Sequence, residues 1–508
     1  MSANVAGLID APARRLRDRT AVFDGDRPVA TWAGLAEDVA RRAGGLRSAH
    51  GIMPGDRVAL WAPNSAAYLV SLLALWHAGA VAVPIAARLH PREAAALLDD
   101  CSAALCLTDE SFAGVLATHT ATPLRPIGGT DDDLGRAEPI PLTRRAATDD
   151  AWLFYTSGTT GRAKGARLSH ANLLATATAY FADVSPVGPD DSLLHVAALS
   201  HASGLFALSF LGRGATQVLP ASGGFDVDEL VEVVAAHHRT TLFVPPVLLR
   251  RLVAGGAAGT VDPARLGTLL VGAAPVRAED LRAGVAAFGP RVWNGYGQGE
   301  SPNTITAMPA ADVAASLDRS DRLTSVGTAR FATRVRVVDS AGRPLPPGEV
   351  GEVVVSGPTV MAGYLNRPEA TGEALRDGWL HTGDLGRFDD GAYLTLVDRA
   401  KDVVITGGYN VYPREVEDVL AADPAVADVA VIGIPDGEWG ERVVAVVVPH
   451  DGTVIDPAAL DARCLAAIAR HKRPRAYVVR TELPRNPAGK VLKTVLRDAV
   501  ALDREVTP

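Results

Sequence analysis

The chain has 508 residues with 50 basic and 58 acidic side chains, a formal net charge of -8 and 48% apolar residues. At ~150 residues per domain this length predicts about three domains or subdomains around a sizeable core, which excludes small scaffolds held together by disulfides. The acidity is mild and carries no long like-charge blocks, so neither nucleic acid nor an anionic membrane is an expected partner.

Within the basic set the split is lopsided: five lysines, Lys164, Lys401, Lys472, Lys490 and Lys493, stand against 45 arginines. Cys101, Cys106 and Cys464 form no Cys-x-x-Cys pair. They are too few for a disulfide framework, which points to a reducing, cytoplasmic setting. Met1-Ser2-Ala3-Asn4 lacks a basic stretch leading into an apolar core, and Val506-Thr507-Pro508 is no targeting tripeptide, so no secretory or organellar address is expected.

The first strongly apolar stretch, Tyr68 to Ile85, is interrupted by His77, Gly79 and Pro84. It reads as a buried helix (about Ala66 to His77) and a buried strand (Ala80 to Val83), not a membrane span. Over the first ~400 residues helical periodicity recurs beside short Val-rich runs without a fixed repeat, the pattern of α/β layers. Phe154-Tyr-Thr-Ser-Gly-Thr-Thr-Gly-Arg-Ala-Lys-Gly165 gathers hydroxyls, glycines and Lys164 in twelve residues. Glycines let backbone N–H groups converge on an anion, hydroxyls donate to its oxygens, and the lysine adds a mobile charge. Leu173, Leu174, Ala177, Tyr180 and Phe181 follow at helical spacing with Ser169 as N-cap, so a strand–loop–helix phosphate cradle is predicted. It is not the common NTPase loop, because Gly-x4-Gly-Lys-Ser/Thr is absent.

Further on, Thr333 to Val338 alternates as a strand, turns through Ser340 to Gly348 and resumes at Glu349 to Val355, a β-rich subdomain. The short charged run Asp398-Arg-Ala-Lys-Asp402 suits a hinge. Past it, Pro413 to Leu420 opens a helix, and Val429 to Ile434 and Val443 to Val448 read as strands of a small α/β or α+β C-terminal domain.

The loop at 154–165 resembles the phosphate loop of the acyl-adenylate-forming superfamily, and other blocks follow in that family's order. Val271-Gly-Ala-Ala-Pro275 is similar to its adenine-side strand end, Asn294-Gly-Tyr-Gly-Gln-Gly-Glu300 to its Tyr-Gly-x-Thr-Glu motif, and Trp379-Leu-His-Thr-Gly-Asp384 to its ribose block. Asp398 to Pro413 resembles the hinge block and Leu483-Pro-Arg-Asn-Pro-Ala-Gly-Lys490 the catalytic-lysine block. The resemblance implies an α/β fold: an N-terminal domain over 1–398 with two α/β layered subdomains and a β-rich one, a hinge at 399–401 centred on Lys401, and a mobile C-terminal domain over 402–508. It implies ATP, Mg2+ and coenzyme A as cofactors or co-substrates and a small carboxylic acid as substrate, in a monomer or homodimer.

By the same resemblance, Thr156, Ser157, Gly158, Thr159, Thr160, Gly161 and Lys164 hold the phosphates. Gly272, Ala273, Ala274, Pro275, Asn294, Gly295, Tyr296 and Gly297 form the nucleotide wall, with Tyr296 stacked on adenine and Asp384 and Arg399 at the ribose. Glu300, with Thr156, holds the metal. Lys490 meets the substrate carboxylate and α-phosphate, and Gly407 and Gly408 line a coenzyme A tunnel. His201 is the gate of an acid pocket that includes Ser203, Gly204, Gly272, Gln298 and Gly299.

Two positions depart from the pattern. Ala163 replaces the usual proline before the loop lysine. Gly299 replaces the threonine beside the glutamate, which removes a phosphate donor and implies extra room near the reacting centre, with Ser157 or Ser301 as substitute donors. Asp226 comes too late in the chain to bind a substrate amine, so an acid without an α-amino group is expected. Arg277 and Arg282, after the adenine-side strand, are expected at solvated helix positions. The expected reaction is acid adenylation with release of pyrophosphate, then transfer to coenzyme A. The alternative is transfer to a carrier protein or a nitrogen nucleophile, including diazotisation of an aryl amine with nitrite.

Overall fold

The computed structural model describes residues 3–129, 132–156, 163–406, 409–486 and 489–501. The chain divides into two compact units, the first Met1–Val335 with Val355–His381, the second Arg336–Val354 with Thr382–Pro508.

The first unit holds two α/β sheets. In the larger, nine-stranded sheet, six neighbouring strands run parallel, Thr20–Asp24, Thr216–Leu219, Ser192–Leu194, Thr240–Val244, Leu266–Val271 and Val292–Gln298, and the strands outside them are antiparallel. The six-stranded sheet is parallel except for its last pair, the hairpin of Asp150–Thr156 and Lys164–Ser169. Parallel strands are covered on both faces, so they are apolar throughout, as in Val81–Ile85, where every residue is buried.

The helix expected before that strand runs Ala66–His77 and is buried at every position from Tyr68 onward. Ser65 caps it by accepting from the Tyr68 N–H. Its apolar length thus reflects a position inside the molecule. No helix among the described residues is long and apolar enough to cross a membrane.

One expectation is corrected here. The Thr/Gly-rich loop leads into a strand, Lys164–Ser169, and only then into the helix His170–Asp183. Pairing decides this: Lys164–Ser169 runs antiparallel to Asp150–Thr156, with Thr156 opposite Lys164, and Gly165, Ala166, Leu168 and Ser169 are buried. Ser169 is the predicted N-cap, in a capping box with Asn172. The described residues on either side of the loop, Thr156 and Lys164, are therefore paired strand ends.

In the second unit residues 336–338, 351–354 and 382–388 share a sheet with Leu394–Arg399. A second sheet is built on the long hairpin Val426–Asp436 and Gly440–Pro449. Its side chains alternate between two cores. Val431, Val443, Ala445 and Val447 pack with Val416, Leu420, Leu460 and Cys464, on the side of helices Pro413–Ala421 and Pro457–Ala467. Ala430, Ile432, Ile434, Val444 and Val446 pack with Leu483, Leu496 and Val500, on the side of helix Lys493–Ala501. Each such Val, Ile or Leu contributes about 1.5–3 kcal/mol by leaving water, which explains strands longer than the sequence runs suggested. All three cysteines are free and buried.

Candidate active site

In open α/β sheets ligands collect at the carboxyl ends of parallel strands. Leu266–Val271 and Val292–Gln298 are parallel neighbours with Val271 opposite Asn294, so segments 272–275 and 294–298 leave the sheet side by side. Ala273 sits at φ 67°, the left-handed region. A non-glycine residue held there costs about 1–2 kcal/mol, the kind of strain that collects at working sites. Gly272 is needed for approach, since a Cβ there would stand 3.1 Å from the Gly295 carbonyl oxygen. Asn294 is buried and its amide donates to the Ser325 carbonyl at 3.0 Å, so its side chain braces the segment. Tyr296 and Gln298 are half-buried on the same strand.

Beside this wall stands Glu300, buried, with two hydroxyls donating to its Oε1: Thr156 at 3.0 Å and Tyr364 at 2.8 Å. Tyr364 is a residue the motif reading missed. It lies on a segment that pairs with the hairpin strand, through Leu365 N–H to the Gly165 carbonyl and Ala362 N–H to the Arg167 carbonyl. The Met361 N–H donates to the Glu300 carbonyl. Gly363-Tyr364 carries no spacing signal toward Glu300, and only the fold connects them. Lys164 Nζ lies over the Tyr364 ring, 5.3 Å from its centroid, a cation–π contact. The loop residues Ser157, Gly158, Thr159, Thr160 and Gly161 lie outside the described residues, as do Gly407 and Gly408.

The acid side differs from expectation. His201 ends the turn before helix Ala202–Arg213, its Nδ1 2.9 Å from Ser200 Oγ and its ring edge-on to Phe154, with centroids 5.4 Å apart and planes at 79°. Desolvation pulls its imidazole down to about 4, so it is neutral at pH 7. Ser203 and Gly204 do not open a pocket. Ser203 is buried and its hydroxyl is 2.8 Å from His195 Nδ1. The His195 Nε2–H donates to Gln217 Oε1, whose amide is oriented by its own donation to the Ala215 carbonyl. A Cβ on Gly204 would stand 2.0 Å from the Leu199 carbonyl oxygen and 3.2 Å from the Trp152 ring.

The room expected at Gly299 is also filled. A Cβ there would lie 2.5 Å from Phe154 Cδ1 and 2.5 Å from Thr156 Cγ2. Ser301 is no substitute donor: it is fully buried, 3.0 Å from Thr359 Oγ1. Arg282 donates to the Leu317 carbonyl and to Ser320, and Arg277 pairs with Asp280, so both are half-buried, partnered groups rather than the solvated ones expected. Asp226 caps helix Val227–Ala236.

The second unit carries a charged cluster. Asp384 is buried and faces Arg399 across two antiparallel strands, with Arg399 Nε 2.9 Å from Oδ1. Gly383, at φ 68°, donates to Glu352 Oε1, and the Asp384 N–H donates to Thr382 Oγ1, which fixes the carboxylate's approach. Lys490 is lowered to about 8, first by burial and then by Arg399, while Asp384 and Asp402 oppose the shift. Its backbone is held by Asn486, whose side-chain oxygen accepts from the Lys490 N–H at 2.9 Å and whose N–H donates to the Lys490 carbonyl.

Lys401 is likewise lowered by burial and sits in a single 3-10 turn, Ala400–Asp402. That turn is fastened on both sides: Asp398 accepts from the Arg414 N–H, and Asp402 pairs with Arg497 at 2.9 Å. The other two lysines are not surface groups without partners: Lys472 and Lys493 each stand 2.7 Å from a glutamate of helix Pro413–Ala421, Glu415 and Glu417.

Family models match both parts of the chain, AMP-binding enzyme over residues 9–365 and AMP-binding enzyme C-terminal domain over 415–490. A feruloyl-CoA synthase from Amycolatopsis sp is 40% identical over 497 residues, covering 97% of this chain and 98% of that protein. The crystal structure of ATP-bound MatB from Rhodopseudomonas palustris superposes with a TM-score of 0.87 at 32% identity over 100% of both chains. The amide bond synthetase McbA from Marinactinospora thermotolerans does so with a TM-score of 0.88 at 30% identity, over 98% of this chain and 99% of that one.

Proposed function

The chain belongs to the AMP-binding enzyme family, and from that premise we propose that it is an acid–coenzyme A ligase for a medium-sized aryl or acyl carboxylate without an α-amino group. It activates the acid as its adenylate, releasing pyrophosphate, and passes the acyl group to the coenzyme A thiol, releasing AMP. An aryl acid is supported by the relative named for feruloyl-CoA and by the aromatic pair of His201 and Phe154.

The observation that carries the site reading is Glu300 with Thr156 and Tyr364. Both hydroxyls are taken by Oε1, and Oε2 accepts from no described residue. A carboxylate oxygen beside a hydroxyl is a hard donor pair that suits Mg2+, which binds through one or two carboxylates and the substrate phosphates. Bound there, Mg2+ would offset phosphate charge during displacement. Thr156 and Tyr364 hold the carboxylate in place, and Lys164 supplies charge to the outgoing pyrophosphate. Asp384 accepts the ribose hydroxyls with Arg399 fixing its rotamer, Tyr296 covers the adenine, and 272–275 and 294–297 present backbone to the nucleotide.

Lys490 is assigned to the reacting phosphate. A lysine destabilised by burial and by a neighbouring arginine gains most when an anion arrives. Lys401 is assigned to the pivot between the two half-reactions, between an N-terminal domain ending near 398 and a C-terminal one from 402, with Gly407 and Gly408 beside the pantetheine thiol.

The test is AMP formation with ATP, Mg2+ and a panel of benzoic, hydroxycinnamic and alkanoic acids, with and without coenzyme A. Coenzyme A-dependent AMP release with an aryl acid is expected, and silence across the panel would sink the reading. A nitrogen acceptor is the second reading, favoured by the likeness to the amide bond synthetase. Faster AMP release with an amine than with coenzyme A would favour it.

A further inference from the structure

Strand Asp150–Thr156 places Trp152, Phe154 and Thr156 on one face, because side chains on a strand alternate with period two. Each of the three meets a different part of the site. Thr156 donates to Glu300. Phe154 sets its ring edge-on to His201 and fills the place a side chain at Gly299 would occupy, 2.5 Å and 2.9 Å from that position's Cβ by its Cδ1 and Cε1. Trp152 stacks on Phe154, centroids 6.2 Å apart and planes at 23°, and its ring lies 3.2 Å from where a Cβ on Gly204 would be. The two small residues thus mark where aromatic side chains of a neighbouring strand have moved in. Trp152 is fully buried, whereas Phe154 is half-buried, with its ring against His201.

We propose that Phe154 is a specificity-determining residue for the acid: with Gly299 giving it room, its ring stands edge-on to His201 and forms an aromatic corner on the strand that ends at Thr156, the partner of Glu300, which favours planar aryl acids over flexible alkyl acids. This rests on the acid-ligase reading. A planar acid keeps its geometry in such a corner and loses little rotational freedom, whereas an alkyl chain must give up several torsions to fill it. Gly299 and Phe154 act as a pair, since a methyl at 299 drives the ring out of the corner.

The experiment compares kcat/KM for AMP release on cinnamate and on nonanoate, acids of equal carbon count, in the full-length protein. Phe154→Leu is expected to lower the cinnamate-to-nonanoate ratio about tenfold, as expected for losing one well-packed pocket contact, while the KM for ATP stays put. Gly299→Ala is expected to lower the same ratio. Because Thr156 Cγ2 also stands 2.5 Å away, combining it with Phe154→Leu restores part of the Gly299→Ala loss in rate, and the two effects are not additive. Equal losses on both acids, or additive effects in the double variant, overturn the proposal while leaving the ligase reading intact. If Gly299→Ala fails to fold, the Phe154→Leu ratio decides alone. No AMP from the unaltered protein with any acid would instead sink the ligase reading, and the selectivity claim with it.

Discussion

Glu300 in the first unit and Lys490 in the second are both ionisable groups drawn partly or wholly out of water, yet their surroundings are opposite in kind. Among the described residues, Glu300 receives only neutral hydroxyls, from Thr156 and Tyr364, and stands beside the ends of fixed strands. Lys490 is held at its backbone by Asn486, and burial first and then Arg399 disfavour its charge while Asp384 and Asp402 oppose that shift. One environment leaves room for a cation and the other for an anion.

The contrast can be broken first at Lys490. Lys490→Ala is expected to lower adenylation, read as pyrophosphate exchange, about 10²–10³-fold, while acyl transfer from a supplied adenylate stays near the unaltered rate; equal loss in both steps would contradict the assignment. Glu300→Gln removes the charge but keeps the shape. We expect about a 10²-fold loss together with a raised Mg2+ requirement, whereas Tyr364→Phe, which removes one of two hydroxyl donors, costs several-fold. If Glu300→Gln leaves the Mg2+ dependence unchanged, the metal assignment is wrong.

A pH profile sharpens the comparison further. Burial and Arg399 depress the Lys490 pKa from 10.5 to about 8, and the role proposed for it needs the charged form. Adenylation by free enzyme should therefore be full below about pH 8 and fall as pH rises through it, by about tenfold per unit at the limit. Lys490→Arg, which stays charged, should flatten that limb even if its rate is low. The smallest effect is expected at Lys401. Lys401→Pro should slow thioester formation a few-fold more than pyrophosphate exchange, because it stiffens the turn between Asp398 and Asp402. No difference between the two steps would remove the pivot role.

How much was legible in advance follows from the range of each interaction. The capped helix at 66–77, the Ser169 cap and the C-terminal helix at 413–421 depend on neighbours within a few residues, and periodicity and capping chemistry display those directly. The hairpin around the phosphate loop is not legible in sequence because Lys164–Ser169 carries no alternation, with burial falling in pairs, and only its pairing with Asp150–Thr156 makes it a strand. Tyr364 was invisible for the same reason, since its partner Glu300 is 64 positions away. At Gly299 the residue type was read correctly and its meaning reversed. A glycine in a motif suggests vacancy, but whether the vacancy persists depends on Phe154, which only the strand pairing brings near. Lysine scarcity was informative in part: Lys472 and Lys493 serve as ion-pair partners within the second unit.

The three buried thiols have a further consequence. Burial holds Cys101 up at about 11 and Cys106 at about 12, and raises Cys464 as well, so little thiolate exists on the folded chain at neutral pH. An acyl-adenylate is an electrophile that any accessible thiolate would capture. A chain that keeps its own sulfur inert protects itself from acylation by its product and leaves coenzyme A as the reactive thiol in solution. In practice, a thiol-reactive dye added to the native protein should count coenzyme A without background, and a slow rise in dye signal would report unfolding before activity is lost.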